Sequence, residues 1–159
     1  MKKICIILMG LFFQSMNAQS ETTIYLIRHA EKADSSPNTA LSAEGKERAE
    51  NWAIFFKDTP IDFFYSTSYL RTESTCLPIA VSKQKQIISY NPKEINLKKM
   101  IAENQGKTIL IVGHSNTIPK HINQLLDEEK YPEIPESEFG NLYTIKIKNG
   151  VISHTLTKP

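Results

Sequence analysis

Two histidines and an arginine stand where buried chain segments stop. Ile24-Tyr25-Leu26-Ile27 runs straight into Arg28-His29, and Thr108-Ile109-Leu110-Ile111-Val112 runs into Gly113-His114-Ser115. A short apolar run ended by such a break reads as a strand buried on both faces. Each break then lies at the carboxyl end of its strand, the edge where open α/β sheets bind ligands. Cations at a buried strand end are costly unless something anionic meets them. The simplest such group is a phosphoryl. Arg28-His29 by itself would serve equally well as a strand cap paired to surface acids. The second histidine at a second strand end points to chemistry, because parallel neighbouring strands bring His29 and His114 to one sheet edge.

The elements that must position these residues alternate between strand and helix. After the first strand, Ala33 to Ala40 is rich in Asp, Ser, Pro and Asn and reads as a loop bordering the site. Ser42 is a good N-cap, Glu44 and Glu47 suit a first turn, and Ala49, Trp52, Ala53 and Phe56 fall at helical spacing to about Lys57. Thr59-Pro60 turns the chain into a strand over 61–65. Ser66 to Leu70 leaves that strand, and Arg71 falls near the start of the next helix. Helix N-termini offer free N–H groups to anions, and Arg71 adds a bidentate fork. Pro78 predicts a kink or restart, with Leu77, Ala80 and Val81 packed inside. A short strand follows over 86–90, then a helix capped by Asn96, carrying Leu97, Met100 and Ile101 and closed by Gly106. Beyond the strand at 108–112, Thr117 is expected to cap the last main helix, with Pro119 in its first turn. Ile118, Ile122, Leu125 and Leu126 form its stripe, and His121 beside it reads as a surface or boundary residue. Asp127 to Glu138 is acidic, contains Pro132 and Pro135, and reads as a surface loop. Leu142–Lys148, Asn149-Gly150 and Val151–Leu156 read as a β-hairpin, with His154 structural.

With 159 residues, 40% of them hydrophobic and 23% charged, the chain is an ordinary soluble globular composition with room for one domain and a core. Lys2-Lys3, the apolar run Ile4–Phe13 and the polar exit to Asn17-Ala18-Gln19 read as a secretory signal peptide over 1–19, cut after Ala18 or Gln19. The run is too short to span a bilayer, which needs about 20 residues. Cys5 precedes it and is a poor lipidation site, so no stable membrane anchor is expected after cleavage. The protein is therefore expected in the periplasm or outside the cell, as one domain over 20–159. The formal charge of +2 is supplied by Lys2 and Lys3, so residues 20–159 are neutral and carry no basic stripe for nucleic acid. Cys76 is the one cysteine left, so no internal disulfide is expected.

Four segments carry a family resemblance. Arg28-His29-Ala30-Glu31-Lys32 resembles the Arg-His-Gly/Ala motif of the histidine phosphatase superfamily, in its phosphoglycerate mutase-like branch. Leu41-Ser42-Ala43-Glu44-Gly45 through Ala49 is similar to its Leu-Thr/Ser-x-x-Gly helix start. Ser66 through Thr75, with Arg71 inside it, resembles its Ser-Pro-x-x-Arg-x-x-x-Thr segment. Val112-Gly113-His114-Ser115 resembles its distal Gly-His motif. The order is the family's own, and the four span most of residues 20–159.

The resemblance implies a three-layer α/β/α sandwich on a mainly parallel sheet, and a phosphatase acting through a phosphohistidine. His29 would attack phosphorus. Arg28, Arg71, His114 and Ser115 would hold the phosphoryl group, which fits a chain with only three arginines, two of them among these four residues. Water would then hydrolyse the intermediate, with no metal or other cofactor required. The substrate would be a phosphorylated small molecule or a phosphoprotein. A leaving alkoxide needs an acid. Here Tyr90-Asn91-Pro92-Lys93-Glu94 departs from the family's better-known pattern, leaving Glu94 and Glu31 as candidates. Two rival readings stand beside this one: a phospho-ligand binding module without turnover, and a zinc site of His29-x-Glu31 with His114.

Overall fold

The computed structural model describes residues 20–159; the signal peptide read over 1–19 lies outside the described residues. The elements run β1 Thr22–Arg28, α1 Ala43–Phe55, β2 Phe63–Ser66, α2 Leu70–Ser82, β3 Ile87–Ser89, α3 Leu97–Glu103, β4 Thr108–Gly113, α4 Thr117–Leu126, β5 Leu142–Lys148 and β6 Val151–Thr157. One six-stranded sheet has the order β3-β2-β4-β1-β5-β6. The first four strands in that order are parallel, and β5 and β6 add antiparallel strands at one side.

Alternation along the central strands splits the core in two. Ile24 and Leu26 of β1, with Ile109 and Ile111 of β4, face α3 and α4. Ile27, Leu110 and Val112 face Trp52 and Phe56 from α1 and its end, and Cys76 and Ile79 of α2. Strands covered on both faces by helices are what continuous apolar runs predict, and the three-layer sandwich follows. The β1–β4 register sets Arg28 opposite Gly113, so His29 and His114 leave the sheet side by side. No helix among the described residues is long and apolar enough to cross a membrane.

Local signals explain most boundaries. The Ser42 side chain accepts from the Gly45 N–H, and Asn96 accepts from the Lys99 N–H, as N-caps do. Asn149 and Gly150 both take positive φ, 55° and 76°, as a two-residue hairpin turn requires.

Four expectations need correcting. The helix α2 does not restart at Pro78 and runs through it to Ser82. The buried stripe Thr72, Thr75, Cys76, Ile79 and Ala80 continues on both sides of the proline, and its packing offsets the lost backbone bond. Leu77 and Val81 fall one residue past that stripe and are 52% and 63% exposed. Thr117 is the first residue of α4 rather than its cap; its hydroxyl accepts from the His114 N–H instead. His121 is buried, because α4 turns an unusually wide face inward, including Asn123 as well as the apolar stripe.

Candidate active site

His29 is fixed by its backbone before its side chain acts. Its N–H donates to the Gly113 carbonyl at 2.9 Å, extending the β1–β4 ladder one residue. The next N–H, that of Ala30, donates to Thr75 Oγ1 at 2.9 Å, and that hydroxyl donates to the Arg71 carbonyl at 2.7 Å. One buried threonine of α2 thus ties the end of β1 to the arginine of the third motif. The His29 ring lies with Nδ1 2.8 Å from the Ala30 carbonyl. A carbonyl only accepts, so Nδ1 carries the proton and Nε2 keeps a free lone pair. Burial first, then the charges of Arg28, Arg71 and Lys32, push the His29 pKa down to about 4. The ring is 4% exposed and neutral at pH 7.

His114 faces it, with ring centroids 5.5 Å apart. Its Nε2 lies 2.9 Å from Thr67 Oγ1, which lies 2.9 Å from Thr72 Oγ1, and Thr72 reaches the Thr67 and Tyr69 carbonyls at 2.8 and 2.9 Å. A carbonyl only accepts, so the Thr72 hydroxyl spends its one proton there and the chain runs one way: Nε2–H to Thr67, Thr67 to Thr72, Thr72 to carbonyl. That leaves Nδ1 as acceptor, and Arg71 Nη2 stands 3.4 Å from it. Burial first, then the charges of Arg71, His29 and Arg28, bring the His114 pKa to about 4 as well. Arg71 is held by Nη1 donating to the Pro37 carbonyl at 2.9 Å and by its stack on Tyr69 at 4.4 Å.

Arg28 is turned another way. Nη1 donates to the carbonyls of Pro135, Glu136 and Glu138 at 2.9, 3.1 and 2.9 Å, and Nη2 to Glu136 Oε2 at 2.7 Å. The Phe139 ring lies 4.3 Å from its guanidinium carbon. Arg28 therefore clamps the acidic loop between α4 and β5 across the strand ends. Ser115 Oγ donates to the other Glu136 oxygen at 2.7 Å, and the Ile134 N–H donates to the Ser115 carbonyl at 3.0 Å. The Ser115 bond first, and the Arg28 charge, keep the Glu136 carboxyl below the usual carboxylate range.

A cavity of about 420 Å³ opens here, lined by His29, Lys32, Tyr69, Arg71, His114, Ser115, Glu133 and Glu136 among others. Of the residues singled out in the sequence, His29, Arg71, His114 and Ser115 converge on it. Arg28 sits behind Glu136 rather than in the wall. Glu31 and Glu94 stand elsewhere. Glu31 is gripped by Arg48 Nε at 2.8 and 2.9 Å, on the α1 side. That also keeps Glu31 from joining the two histidines around a metal. Glu94 accepts from Asn91 Nδ2 at 2.8 Å and lines a neighbouring cavity with Tyr65, Asn91 and Lys99. Sequence reading assigned no role to Thr67, Thr72, Lys32, Tyr69 or Glu136. The threonines lie inside or beside the Arg71 motif, where a run of hydroxyls next to a strand end was the available signal.

The sheet and the paired histidines define a phosphoglycerate mutase-like α/β domain. Residues 24–97 match the model of the histidine phosphatase superfamily (branch 1), and three of the four motifs lie within that segment. Similar solved structures include a phosphoserine phosphatase from Entamoeba histolytica, a mutant with phosphoserine bound (20% identity, 84% of this chain and 95% of that chain, TM-score 0.66). Another is the protein histidine phosphatase SixA complexed with tungstate (13%, 86% and 97%, TM-score 0.68). A third is phosphoglycerate mutase from Bacillus anthracis (13%, 88% and 94%, TM-score 0.69). At these identities the likeness is one of fold. No curated protein matches the chain by sequence.

Proposed function

We propose that this chain is a phosphatase that hydrolyses a phosphate monoester or phosphoramidate through a phosphohistidine on His29. The observation that carries the reading is the His29 ring: neutral, its Nδ1–H committed to Ala30, its Nε2 lone pair free beside His114 and Arg71 in one cavity. In-line attack requires a rigidly held nucleophile, and the backbone and side-chain bonds of His29 supply that. Nε2 attacks phosphorus and the leaving group departs. Arg71 and Ser115 donate to phosphoryl oxygens, where charge builds in the transition state. The incoming negative charge also favours proton uptake at His114 Nδ1, which turns an acceptor for Arg71 into a donor for phosphate. Water then cleaves the N–P bond and regenerates His29.

The substrate on this reading is a phosphorylated small molecule or phosphoprotein, met outside the cytoplasm after loss of residues 1–19. The signal-like run Ile4–Phe13 behind Lys2-Lys3 supports export. A binding module without turnover is the second reading, favoured by the hold of Glu136 on Arg28 and Ser115. The test is phosphate release from 4-nitrophenyl phosphate, phosphoserine and a phosphohistidine peptide. Many phosphates per chain on at least one of them, and none with His29→Ala, is the expected result. A single burst without turnover supports the binding module, and wild-type activity that survives His29→Ala overturns the mechanism.

A further inference from the structure

We propose that Glu136 is the general acid that protonates the leaving group, an assignment that rests on the phosphatase reading above. An alkoxide leaves phosphorus poorly without a proton, so a monoester hydrolase needs a donor at the bridging oxygen. Two carboxylates are among the residues that line the cavity with His29, Glu133 and Glu136. Glu31 is spent on Arg48, and Glu94 faces a different cavity.

Glu136 alone of the two is built into the site. One of its oxygens takes the Ser115 hydroxyl at 2.7 Å and the other takes Arg28 Nη2 at 2.7 Å. Ser115 directly follows His114 and Arg28 directly precedes His29, so the carboxylate is suspended between the two strand ends that carry the histidines. Arg28 is fully buried while the Glu136 side chain is 71% exposed, which sets the carboxyl at the cavity mouth. The leaving group departs on the side of phosphorus away from His29, toward that mouth.

The resting state favours the ionised carboxylate, and the substrate changes that. A phosphoryl group entering between His29 and His114 competes for the Ser115 donor. It also sets negative charge beside the carboxylate. Loss of a donor and a like charge both raise a carboxyl's proton affinity. A monoester arriving as the monoanion supplies the proton, which passes from its phosphoryl oxygen to Glu136. His29 Nε2 then forms the N–P bond, the P–O bond to the alcohol breaks, and the Glu136 proton goes to the departing oxygen. In the second half, Glu136 takes a proton from the attacking water as the N–P bond breaks and passes it to the departing phosphate, which leaves as the monoanion and restores the carboxylate.

The experiment compares an alkyl ester, phosphoserine, with 4-nitrophenyl phosphate, whose phenolate leaves without help. Glu136→Gln keeps the shape and the acceptor for Arg28. It should lower kcat/KM about 100-fold on phosphoserine, as loss of a general acid does, and only a few-fold on the nitrophenyl ester. Glu133→Gln should lower both by a similar, small factor. Equal losses on the two esters in Glu136→Gln, or an alkyl-selective loss in Glu133→Gln instead, overturn the assignment. A measurement on the wild type does not depend on how the variant folds. Across aryl and alkyl phosphates, kcat/KM should fall only shallowly as the leaving group becomes more basic, and a steep fall overturns Glu136 as donor. A wild type inert on every ester yet active on a phosphohistidine peptide overturns this assignment and leaves the phosphatase reading standing, whereas one inert on the peptide as well defeats both.

Discussion

Acidification should destabilise this fold through His29 before any carboxylate matters. In the folded chain His29 titrates near pH 4, against 6.5 for the free side chain. The unfolded chain therefore takes up a proton as pH falls through 6.5, while the folded chain refuses it until about 4. Stability rises with pH wherever the unfolded state binds more protons. The His29 contribution is thus complete above pH 6.5, drains away as pH falls toward 4, and is lost below it. A drop from 6.5 to 4 in a ring that is 4% exposed corresponds to about 3 kcal/mol. The perturbation is His29→Asn, which keeps a donor for the Ala30 carbonyl and cannot titrate. The assay is urea unfolding of both proteins at steps between pH 7 and 4, in buffers free of phosphate and sulfate, since a bound oxyanion would favour the charged ring. Wild type should lose about 3 kcal/mol more than His29→Asn over that interval. Curves that fall in parallel would refute the argument that burial and neighbouring cations keep His29 neutral.

Two further substitutions probe the supports of the site. Thr67→Val leaves the His114 Nε2–H without an acceptor and should cost about 1–3 kcal/mol in chemical unfolding, with kcat falling because His114 is no longer oriented. Gly45→Ala puts a methyl group into the backbone of Glu31, which packs against the start of α1. That overlap should cost about 1–3 kcal/mol, as overpacking does, and should weaken the Arg48 grip on Glu31; thermal unfolding is the check. On export, N-terminal sequencing of the native protein should find it beginning at Gln19 or Ser20, and an intact Met1 in the cytoplasm would count against that proposal.

How much of this was legible in the sequence varies with the reach of the interaction. β1 and β4 could be read because both faces of each are covered, which leaves uninterrupted apolar runs. The caps Ser42 and Asn96 were legible because a cap bonds within three residues of itself. The burial of Leu77 and Val81 was misread because Pro78 drew attention to a break, while the stripe from Thr72 to Ala80 kept its spacing through it. His121 was misjudged for a related reason: nothing in a single helix says how wide a face its neighbours will cover. The role of Arg28 as a clamp and the place of Glu136 were out of reach. The Arg28 contacts span 107 to 110 residues of chain, and the loop that makes them has only acidic composition and prolines to mark it. The threonine relay behind His114 joins the ends of β2 and β4, and it becomes visible only once the sheet order is known.

The central claim is that phosphorus is bonded to His29 during turnover. Each variant, mixed with a radiolabelled phosphoryl donor, quenched and peptide-mapped under conditions that preserve the acid-labile N–P bond, tests it directly. Label should appear on the peptide carrying His29 in the wild type and be absent in His29→Ala. His114→Ala should turn over about 100-fold or more slowly, as loss of a transition-state donor does, and still show label on His29. Label on His114, or wild-type turnover with no labelled histidine at all, would contradict the account.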